Sequence, residues 1–465
     1  MNRKKFIKSI LGASAFASIP FNLNSKNINI QKLIDNTKID TDGSMIGFKS
    51  KKIPKVKVGI IGLGNRGTTL LKMFNYLVQN NYSEIIALSD IKKNKLEKAK
   101  NILLKYQSKE PKLYSDVNSW KDLAKRTDID LIIIATPWKL HTPMSLYAMN
   151  QGKHVACEVP ISITLEECWK IVKTAEKTKK HCIMMENCNY NDEELWILNM
   201  VQEGVFGDIT HAEGAYLHDL RSLLLDEKYY ENQWRLQEHV ERNGNFYTTH
   251  GLGPISFYLN IGRGDTFSYL TSMSSRELNL SIAAKKQKHK NIDYKCGDMN
   301  NTIIKTKKGK TILLQFDVHT GRPYSRINKL VGTKAVHDGY PSRLYIDSEE
   351  PFYWGHNWLN AKEYQEYKSK YQHPIIKKLK SISQNFKQGH GGMDFVMIYR
   401  LIKCLNLGIP TDTNIYDGVM WSAISPLSEL SVASNSLSIP FPDFTGGIWK
   451  NKNKLEIMRE LNTLD

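Results

Sequence analysis

The sequence VKVGIIGLGNRG, residues 56–67, is the clearest indication of the fold. Its first half is an apolar run typical of a buried parallel strand, and its second half carries the spacing Gly-x-Gly-x-x-Gly. Gly62 makes a tight turn, Gly64 lets the backbone approach a pyrophosphate, and Gly67 allows close packing of the next helix. The stretch therefore predicts a strand, a turn and a helix whose N-terminal N–H groups face a phosphate.

An acidic residue follows at the spacing of a dinucleotide site. Asp90 ends the next apolar run, 23 residues after Gly67. Its carboxylate can accept hydrogen bonds from the ribose hydroxyls of adenosine and would repel a 2′-phosphate, so the predicted cofactor is NAD rather than NADP. The glycine spacing alone is weak evidence, because glycines mark many turns, and the flanking strand, helix and acid strengthen it.

Short apolar strands alternate with helical stretches up to about residue 185, which predicts a doubly wound parallel sheet. The predicted strands are Val56–Ile61, Ile85–Ser89, Leu131–Ala135, His154–Cys157 and Cys182–Met185. The predicted helices are Thr68–Val78, Lys93–Tyr106, Trp120–Lys125, Pro143–Asn150 and Leu165–Lys177. Residues 55–187 are therefore expected to form an NAD-binding Rossmann domain.

The pattern changes near residue 190. Runs rich in Thr, Ile, Val, Leu and Tyr follow at 208–217, 267–275, 301–317 and 325–333. They predict that residues 188–465 form a substrate-binding α+β domain with a mainly antiparallel sheet. Gly391–Leu405 is expected to form a helix in a C-terminal segment that packs back on the first domain.

Further side chains follow the later strands of the predicted parallel sheet, whose carboxyl ends line the ligand crevice of such folds. They are Trp138, His141, Glu158, Val159 and Asn187. For two of them a purely structural role is the alternative: His141 could cap the helix that follows it, and Glu158 could cap a neighbouring loop.

Composition excludes several classes of protein. The chain has 465 residues, 41% hydrophobic and 24% charged, which is typical of a globular protein of two or three domains. The net charge is +18, but the lysines are scattered and are not interleaved with aromatic residues on one element, which argues against a nucleic-acid partner. No apolar run approaches the length of a membrane span, so no stable membrane insertion is expected.

The N-terminus resembles an export signal. Residues 1–20 combine a basic start, a short apolar core and the small-x-small sequence Ala15–Ala17. The sequence NRKKFIK, residues 2–8, is similar to a twin-arginine signal in which the second arginine is Lys4. We therefore expect a periplasmic protein, with a general secretory signal as the alternative, and we expect residues 21–54 to be a linker.

The cysteine pattern does not predict a metal site. The six cysteines form no Cys-x-x-Cys pair, and no histidines occur at zinc spacing. Buried free thiols are expected, and a disulfide formed after export stays open.

From about residue 55 onward, the chain resembles the Gfo/Idh/MocA oxidoreductase superfamily. More narrowly, it resembles glycoside hydrolase family 109, the NAD-dependent α-N-acetylgalactosaminidases. The motifs that carry the narrower resemblance are GNRG at 64–67, Trp138 with His141, EVP at 158–160, YLHDLR at 216–221, WR at 234–235, RNGNFYTTHGLGP at 242–254, RPY at 322–324 and GHGGMD at 389–394. In the sugar dehydrogenases of the superfamily, the position of Val159 is a lysine that handles the proton of the alcohol. Valine cannot carry that proton.

The resemblance implies a role for each matching residue. NAD contacts are implied for Asn65, Arg66, Asp90, Trp138, His141, Glu158, Val159 and Asn187, beside the glycines 62, 64 and 67. Sugar contacts are implied for Tyr216, Arg235, Tyr247, Thr248, Thr249, His250 and Tyr324. The implied catalytic acid/base is His390. The chain departs from the family at Gln388, where the family loop usually has a further glycine.

The resemblance also implies a mechanism without net redox change. NAD oxidises C3 of the sugar, the resulting ketone acidifies the C2 proton, the aglycone leaves C1 by elimination, water adds, and C3 is reduced again. Tyr324 is our candidate for the base at C2, while Tyr247 and His250 could donate hydrogen bonds to the enolate. His390 could protonate the leaving oxygen, and Arg235 could position the sugar.

Each assignment has a structural alternative. His250 could be a buried histidine bonded to backbone, Tyr324 could pack in a core, and residues 389–392 could be a plain turn into a helix. For the whole chain, an NAD-dependent sugar dehydrogenase is the main alternative, and a sugar-binding protein that keeps NAD as a structural element is another. The substrates suggested by the family are mucin-type O-glycans and A-type blood-group antigens, hydrolysed with retention, and the superfamily commonly forms homodimers.

Overall fold

The computed structural model describes residues 29–40, 43–289, 292–348, 355–453, 455 and 457. The predicted export signal, residues 1–20, lies outside this part of the chain.

The described part of the predicted linker is not an open tether. It contains helix α1 (Ile30–Asp35), whose Leu33 and Ile34 are buried against the main core. Further on, the backbone N–H of Met45 donates to the hydroxyl of Tyr416 at 3.1 Å. A few apolar residues among the asparagines and lysines are thus enough to dock this stretch on the protein.

The first sheet has the architecture predicted for a Rossmann domain. Its strands are β1 (Val56–Ile61), β2 (Ser83–Ser89), β3 (Lys112–Tyr114), β4 (Leu131–Ile134), β5 (His154–Cys157) and β6 (Cys182–Met184). They lie in the order β3-β2-β1-β4-β5-β6, and every neighbouring pair is parallel. This order reverses between β1 and β4, which is where such folds bind a dinucleotide.

Six helices alternate with these strands along the described chain. They are α2 (Asn65–Met73), α3 (Asn75–Gln79), α4 (Lys93–Leu103), α5 (Ser119–Lys125), α6 (His141–Asn150) and α7 (Leu165–Thr178). The helix predicted at Thr68–Val78 begins earlier, at Asn65, and is interrupted at Phe74. The glycine-rich turn therefore leads directly into the N-terminus of α2.

The second sheet is mixed and mainly antiparallel, as predicted. Its strands are β7 (Ile209–Leu217), β8 (Phe267–Ser274), β9 (Asn300–Thr306), β10 (Thr311–Asp317), β11 (Lys329–Gly332), β12 (Ala335–Gly339), β13 (Ser342–Ile346) and β14 (Ile439–Pro440). Their order is β13-β12-β11-β7-β10-β9-β8-β14, and β7 with β10 is the parallel pair. The predicted run 301–317 is the antiparallel pair β9 and β10, which the turn around Gly309 separates.

The remaining helices belong to the second half of the chain. They are α8 (Asp192–Gln202), α9 (Arg221–Leu225), α10 (Trp234–Glu241), α11 (Thr249–Tyr258), α12 (Asn279–Lys286), α13 (Ala361–Lys370), α14 (Pro374–Ser383), α15 (Met393–Leu407) and α16 (Ile415–Ala433). Short 3-10 turns occur at Trp138–Leu140, Asn187–Tyr190, Glu231–Gln233, Gln384–Phe386, His390–Gly392 and Ile448–Lys450.

Two of these helices pack against the first domain, and one of them, α16, joins the two sheets. Helix α15 packs against α2 and β1 of the first sheet. Helix α16 packs against β8 on one side and against α7 and β6 on the other. Its Ser422 accepts a hydrogen bond from the N–H of Ile161 at 3.2 Å, and its Ser431 accepts one from the N–H of Ser272 at 2.8 Å. These contacts fix the orientation of the sheets and so define the cleft between them.

Within the described residues, no helix combines the length and the apolar character that crossing a membrane requires. All six cysteines lie in described segments, and all are buried thiols outside any disulfide, as predicted.

Candidate active site

A cleft of about 970 Å³ runs along the carboxyl edge of the parallel sheet and is closed on its other side by the second domain. Most of the residues predicted to bind cofactor or sugar line it. They are Gly62, Gly64, Asn65, Arg66, Asp90, Trp138, His141, Glu158, Val159, Asn187, Tyr216, Arg235, Tyr247, His250 and His390. The lining does not include Gly67, Thr248, Thr249 or Tyr324.

The glycine-rich turn fits a pyrophosphate. Gly62 has a φ of 89°, and a Cβ there would lie 2.6 Å from the carbonyl oxygen of Ala135. A Cβ on Gly67 would lie 1.9 Å from the carbonyl oxygen of Gly62, so only glycine lets α2 approach the turn this closely. At Gly64 the same test meets no atom within 4 Å, which leaves the backbone open to a ligand. This geometry therefore agrees with the roles that the sequence predicted for the three glycines.

Asp90 stands at the end of β2 with its carboxylate fixed by backbone. Its two oxygens accept hydrogen bonds from the N–H groups of Leu63 at 2.7 Å and Lys92 at 2.9 Å. Each carboxylate oxygen keeps a second lone pair, so the group can still accept from a ribose hydroxyl in the cleft. The donor and acceptor set of this end of the cleft thus fits an adenosine ribose.

Arg66, in the first turn of α2, links the cofactor loop to the loop of His390. Its Nε donates to Glu158 at 2.7 Å. Its two terminal nitrogens donate to the two oxygens of Asp394 at 2.6 and 2.9 Å. The same carboxylate lies 2.8 Å from Nδ1 of His390. The four side chains form one continuous chain of charge-assisted hydrogen bonds across the cleft.

This network sets different electrostatic states for its two carboxylates. Burial alone would raise the pKa of Asp394, but Arg66 and His390 hold that pKa well below its usual range. For Glu158, burial dominates and raises its pKa, and Arg66 offsets only part of that effect. Asp394 is therefore a fixed negative charge beside the imidazole.

Asn187 joins the same network from the end of β6. Its side-chain amide donates to Oδ1 of Asp394 at 2.8 Å. From the sequence, Asp394 was predicted only to lie near the start of a helix. In the structure its carboxylate contacts three cleft residues, Arg66, Asn187 and His390. The spacing of four residues between His390 and Asp394, which brings side chains together on a helix, was the signal available for this pairing.

His390 occupies a backbone conformation that is uncommon for a residue with a side chain. Its φ is +50°, and the next two residues, Gly391 and Gly392, have φ values of 74° and 106°. Its side chain is 56% exposed and faces the cleft beside Gln388. The turn thus presents an imidazole to the cleft on a short glycine-rich segment, with Asp394 behind it.

A second histidine–carboxylate pair lies deeper in the cleft. Nδ1 of His250 lies 2.6 Å from Oε1 of Glu186, which also accepts from the N–H of Cys188 at 3.0 Å. Burial would raise the pKa of Glu186, but His250 lowers it below its ordinary value. Sequence reasoning missed Glu186, although its place just after β6 marks it as a candidate at the sheet's carboxyl edge.

An aromatic cage surrounds Arg235. Its guanidinium carbon lies 5.2 Å from the ring centre of Trp138, 5.3 Å from that of Tyr230 and 4.6 Å from that of Tyr247. One terminal nitrogen donates to the hydroxyl of Tyr230 at 3.0 Å, while Nε is buried without a partner. The cage holds a desolvated cation at the cleft wall, ready to donate to a polar ligand. Tyr230 was not identified from the sequence.

Tyr324 lies outside the cleft lining. Its hydroxyl accepts from Arg326 at 3.2 Å, and its ring lies 5.0 Å from that of His218. Burial raises the pKa of Tyr324, so its hydroxyl stays protonated near neutral pH and is not available as a base. His218 does line the cleft, and its Nδ1 lies 3.0 Å from the hydroxyl of Tyr216. Burial and Arg235 lower the pKa of His218, so it is neutral at pH 7.

Neither Thr248 nor Thr249 lines the cleft. The hydroxyl of Thr248 donates to the carbonyl of Trp421 at 2.9 Å, and Thr249 is buried. Their neighbours Tyr247 and His250 do line the cleft. The difference arises because α11 begins here, so consecutive residues point in different directions around the helix.

His141 ties together two loops of the cleft wall. Its Nδ1 lies 2.7 Å from the carbonyl oxygen of Pro160, and its Nε2 lies 2.7 Å from that of Thr136. It stands at the first position of α6 and does not act as the helix cap. Both ring nitrogens therefore shape the wall in which Glu158 and Val159 stand.

Comparison with protein families divides the chain in two. A model described as an oxidoreductase family with an NAD-binding Rossmann fold matches residues 56–186. A model described as the C-terminal domain of glycosyl hydrolase 109 matches residues 190–451. The first domain is thus an NAD-binding Rossmann domain, in agreement with Asp90 and the glycine-rich turn.

Curated relatives match over nearly the whole chain. A glycosyl hydrolase family 109 protein from Shewanella baltica is 41% identical, with 98% of this chain and 99% of the relative covered. A protein from Shewanella oneidensis named alpha-N-acetylgalactosaminidase is 40% identical over the same shares. Among solved structures, levoglucosan dehydrogenase in complex with NADH and levoglucosan has a TM-score of 0.62 at 17% identity, covering 84% of this chain and all of that one. That likeness establishes the fold.

Proposed function

The chain belongs to glycosyl hydrolase family 109, and on that premise we propose that it removes terminal α-N-acetylgalactosamine from glycoconjugates without net consumption of NAD. The name of the Shewanella oneidensis relative supports the sugar. The mechanism rests on the geometry of the cleft.

One observation carries the proposal: two histidines, each backed by a buried carboxylate, face a cleft whose position 159 cannot ionise. The pairs are His390 with Asp394 and His250 with Glu186. Val159 is only 4% exposed and apolar. Elimination and water addition both require a positioned acid and a positioned base, whereas simple alcohol oxidation in this superfamily would use a lysine at position 159.

The cofactor would be held by the glycine-rich turn and by Asp90, and Glu158 and Val159 line the same cleft. When bound, NAD supplies a reversible hydride acceptor for C3 of the sugar. Val159 cannot accept the proton that the C3 hydroxyl releases when the hydride leaves, so we assign that proton to His218, a neutral histidine that also lines the cleft. The two histidine–carboxylate pairs carry the other proton transfers.

His390 is the acid that we assign to the leaving oxygen. Its imidazole is solvent-accessible and stands on a turn of glycines, so it can reach a bulky aglycone at the mouth of the cleft. Asp394 orients the ring through Nδ1, which leaves Nε2 to face the substrate. The same nitrogen can take a proton from water when water adds to C1.

His250 is the base that we assign to the C2 proton, in place of Tyr324. It lies in the cleft, and Glu186 fixes its Nδ1, so Nε2 is the nitrogen free for proton transfer. Tyr247 packs 4.9 Å from this imidazole and Arg235 lies against Tyr247. Both offer donors to a developing enolate oxygen, where preorganised donors act most strongly.

Release of p-nitrophenol from p-nitrophenyl α-N-acetylgalactosaminide tests the proposal, with purified protein, no added cofactor and a parallel assay of bound pyridine nucleotide. Many turnovers by NAD-loaded protein support a redox-neutral glycosidase. Absence of release together with NADH formation from free sugars would replace it with the dehydrogenase. Inactivity in both assays, despite bound NAD, would favour a sugar-binding role.

A further inference from the structure

A second group of chemically reactive side chains lies outside the cleft, in the core of the second domain. His239, Cys296 and His319 place one potential metal-ligand atom each within 4.8 Å of one another, and all three residues are buried. We propose that this group binds a zinc ion. The inference is independent of the proposed hydrolase activity.

The geometry of the two histidines suits a tetrahedral ion. Nε2 of His319 lies 3.0 Å from Nδ1 of His239. Two nitrogens bound to one zinc at about 2.0–2.1 Å in tetrahedral geometry lie about 3.3 Å apart, so the rings need little movement. Imidazole nitrogen and cysteine thiolate are also the donors that zinc prefers.

A carboxylate stands behind one of the imidazoles. Oδ1 of Asp298 lies 3.6 Å from Nδ1 of His319, and that nitrogen is buried without a hydrogen-bond partner. In zinc sites the nitrogen that does not bind the metal commonly donates to a carboxylate, which fixes the ring. Binding of Nε2 to a metal fixes the proton on Nδ1 and gives it Asp298 as its acceptor.

Backbone contacts hold the three ligands in place. The N–H of Cys296 donates to the carbonyl of His239 at 3.0 Å. The N–H of His319 donates to Asp317 at 2.9 Å, in the turn that follows β10. Among the described residues no fourth His, Cys, Asp or Glu joins the group. The fourth position of a tetrahedral zinc would therefore be taken by water.

The ligands come from three separate segments: helix α10, the loop before β9 and the turn after β10. Sequence spacing alone therefore could not predict this site. Helix α10 also carries Arg235, one helical turn before His239. A zinc ion here would anchor the wall that presents the caged arginine, so its role would be structural support of the cleft.

Metal content tests the proposal directly. Full-length protein made without a histidine tag in zinc-supplemented medium should hold about one zinc per chain by plasma mass spectrometry. The variants Cys296→Ser and His319→Gln should lose it. Cys188→Ser is the matched control, because Cys188 belongs to the other group of potential ligands, with Glu186 and His250. That variant should retain the zinc.

Cobalt substitution keeps the test independent of variant folding. Wild-type protein in which zinc is replaced by Co²⁺ should show a thiolate-to-cobalt charge-transfer band and the visible bands of a tetrahedral ion. Cys188→Ser should keep both. Wild-type protein that binds no zinc or cobalt at one equivalent would overturn the proposal, and so would metal that Cys188→Ser removes while Cys296→Ser retains it.

Discussion

The carboxylate of Asp394 lies 2.8 Å from Nδ1 of His390 and is fully buried. It also binds both terminal nitrogens of Arg66, which is the third residue of the Gly-Asn-Arg-Gly motif in the cofactor loop. His390, the acid that we assign to glycoside cleavage, is thus linked by hydrogen bonds through Asp394 and Arg66 to the loop that would hold the pyrophosphate.

Asp394→Asn should lower kcat for glycoside cleavage by about 10- to 100-fold, because the amide orients His390 less firmly and provides no negative charge. KM and bound NAD should change little. Asp412→Asn is a matched control, since it also removes a buried carboxylate from an arginine, Arg400. We expect it to lower the unfolding temperature without a specific loss of kcat. An equal loss of kcat in both variants would mean that Asp394 acts only through stability.

Val159→Lys should impair the hydrolase. A lysine at this buried position brings a second cation near Arg66 and a proton carrier near the sugar, which favours alcohol oxidation over elimination. We expect glycoside cleavage to fall by at least about 10-fold and NADH to accumulate with free N-acetylgalactosamine. Val159→Met keeps the site apolar and should retain hydrolysis. If Val159→Lys cleaves as well as wild type, the residue at 159 does not select the reaction.

Glu231→Gln should weaken retention of NAD. Glu231, from the second domain, pairs with Lys92 and with Lys95 at 2.8 Å, both on the segment that follows Asp90. These side chains are about one-third exposed or more, so the pairs are worth up to about 1 kcal/mol, and Kd for NAD should rise about 2- to 5-fold. Glu241→Gln, a surface change on α10, is the control. Unchanged NAD dissociation in Glu231→Gln would show that these pairs do not restrain the cofactor.

The free energy of unfolding should fall as the pH is lowered, because buried histidines are neutral in the folded protein. Burial lowers the pKa of His154 to about 3, whereas an unfolded histidine titrates near pH 6.5. The unfolded chain therefore binds a proton at this histidine that the folded protein does not. For each pH unit of acidification between about pH 6 and 4, this one group lowers the free energy of unfolding by about 1.4 kcal/mol. His154→Asn keeps an acceptor for the N–H of His181 and should reduce this slope by one proton. If the free energy of unfolding of wild type and of His154→Asn changes equally with pH across that window, His154 does not have the lowered pKa.

The sequence predicted the first sheet well because its strands are local and strongly patterned. Val56–Ile61 and His154–Cys157 were predicted with their observed bounds. The edge strand β3 was missed, since Lys112–Tyr114 is short and only partly buried. Helix α16 was missed as well, because it is buried on nearly every face and contains Pro426, so it shows no amphipathic period.

Parts of the cleft were harder to predict for a different reason. Arg66 and Asp394 are 328 residues apart, and Glu186 and His250 are 64 apart. Only the docking of α15 and α11 on the first domain brings such pairs together. Motif matching found the histidines and the arginine, and it could not find the carboxylates that orient them.

The redox-neutral elimination mechanism is tested by the hydrogen isotope found at C2 of the sugar that the enzyme releases in D₂O. Elimination and water addition pass through an enolate, so the N-acetylgalactosamine product should carry solvent deuterium at C2, visible by mass spectrometry and NMR. Unreacted substrate and a control incubation of free sugar without enzyme set the background. Product that retains only protium at C2 while cleavage proceeds would contradict the redox-neutral elimination mechanism.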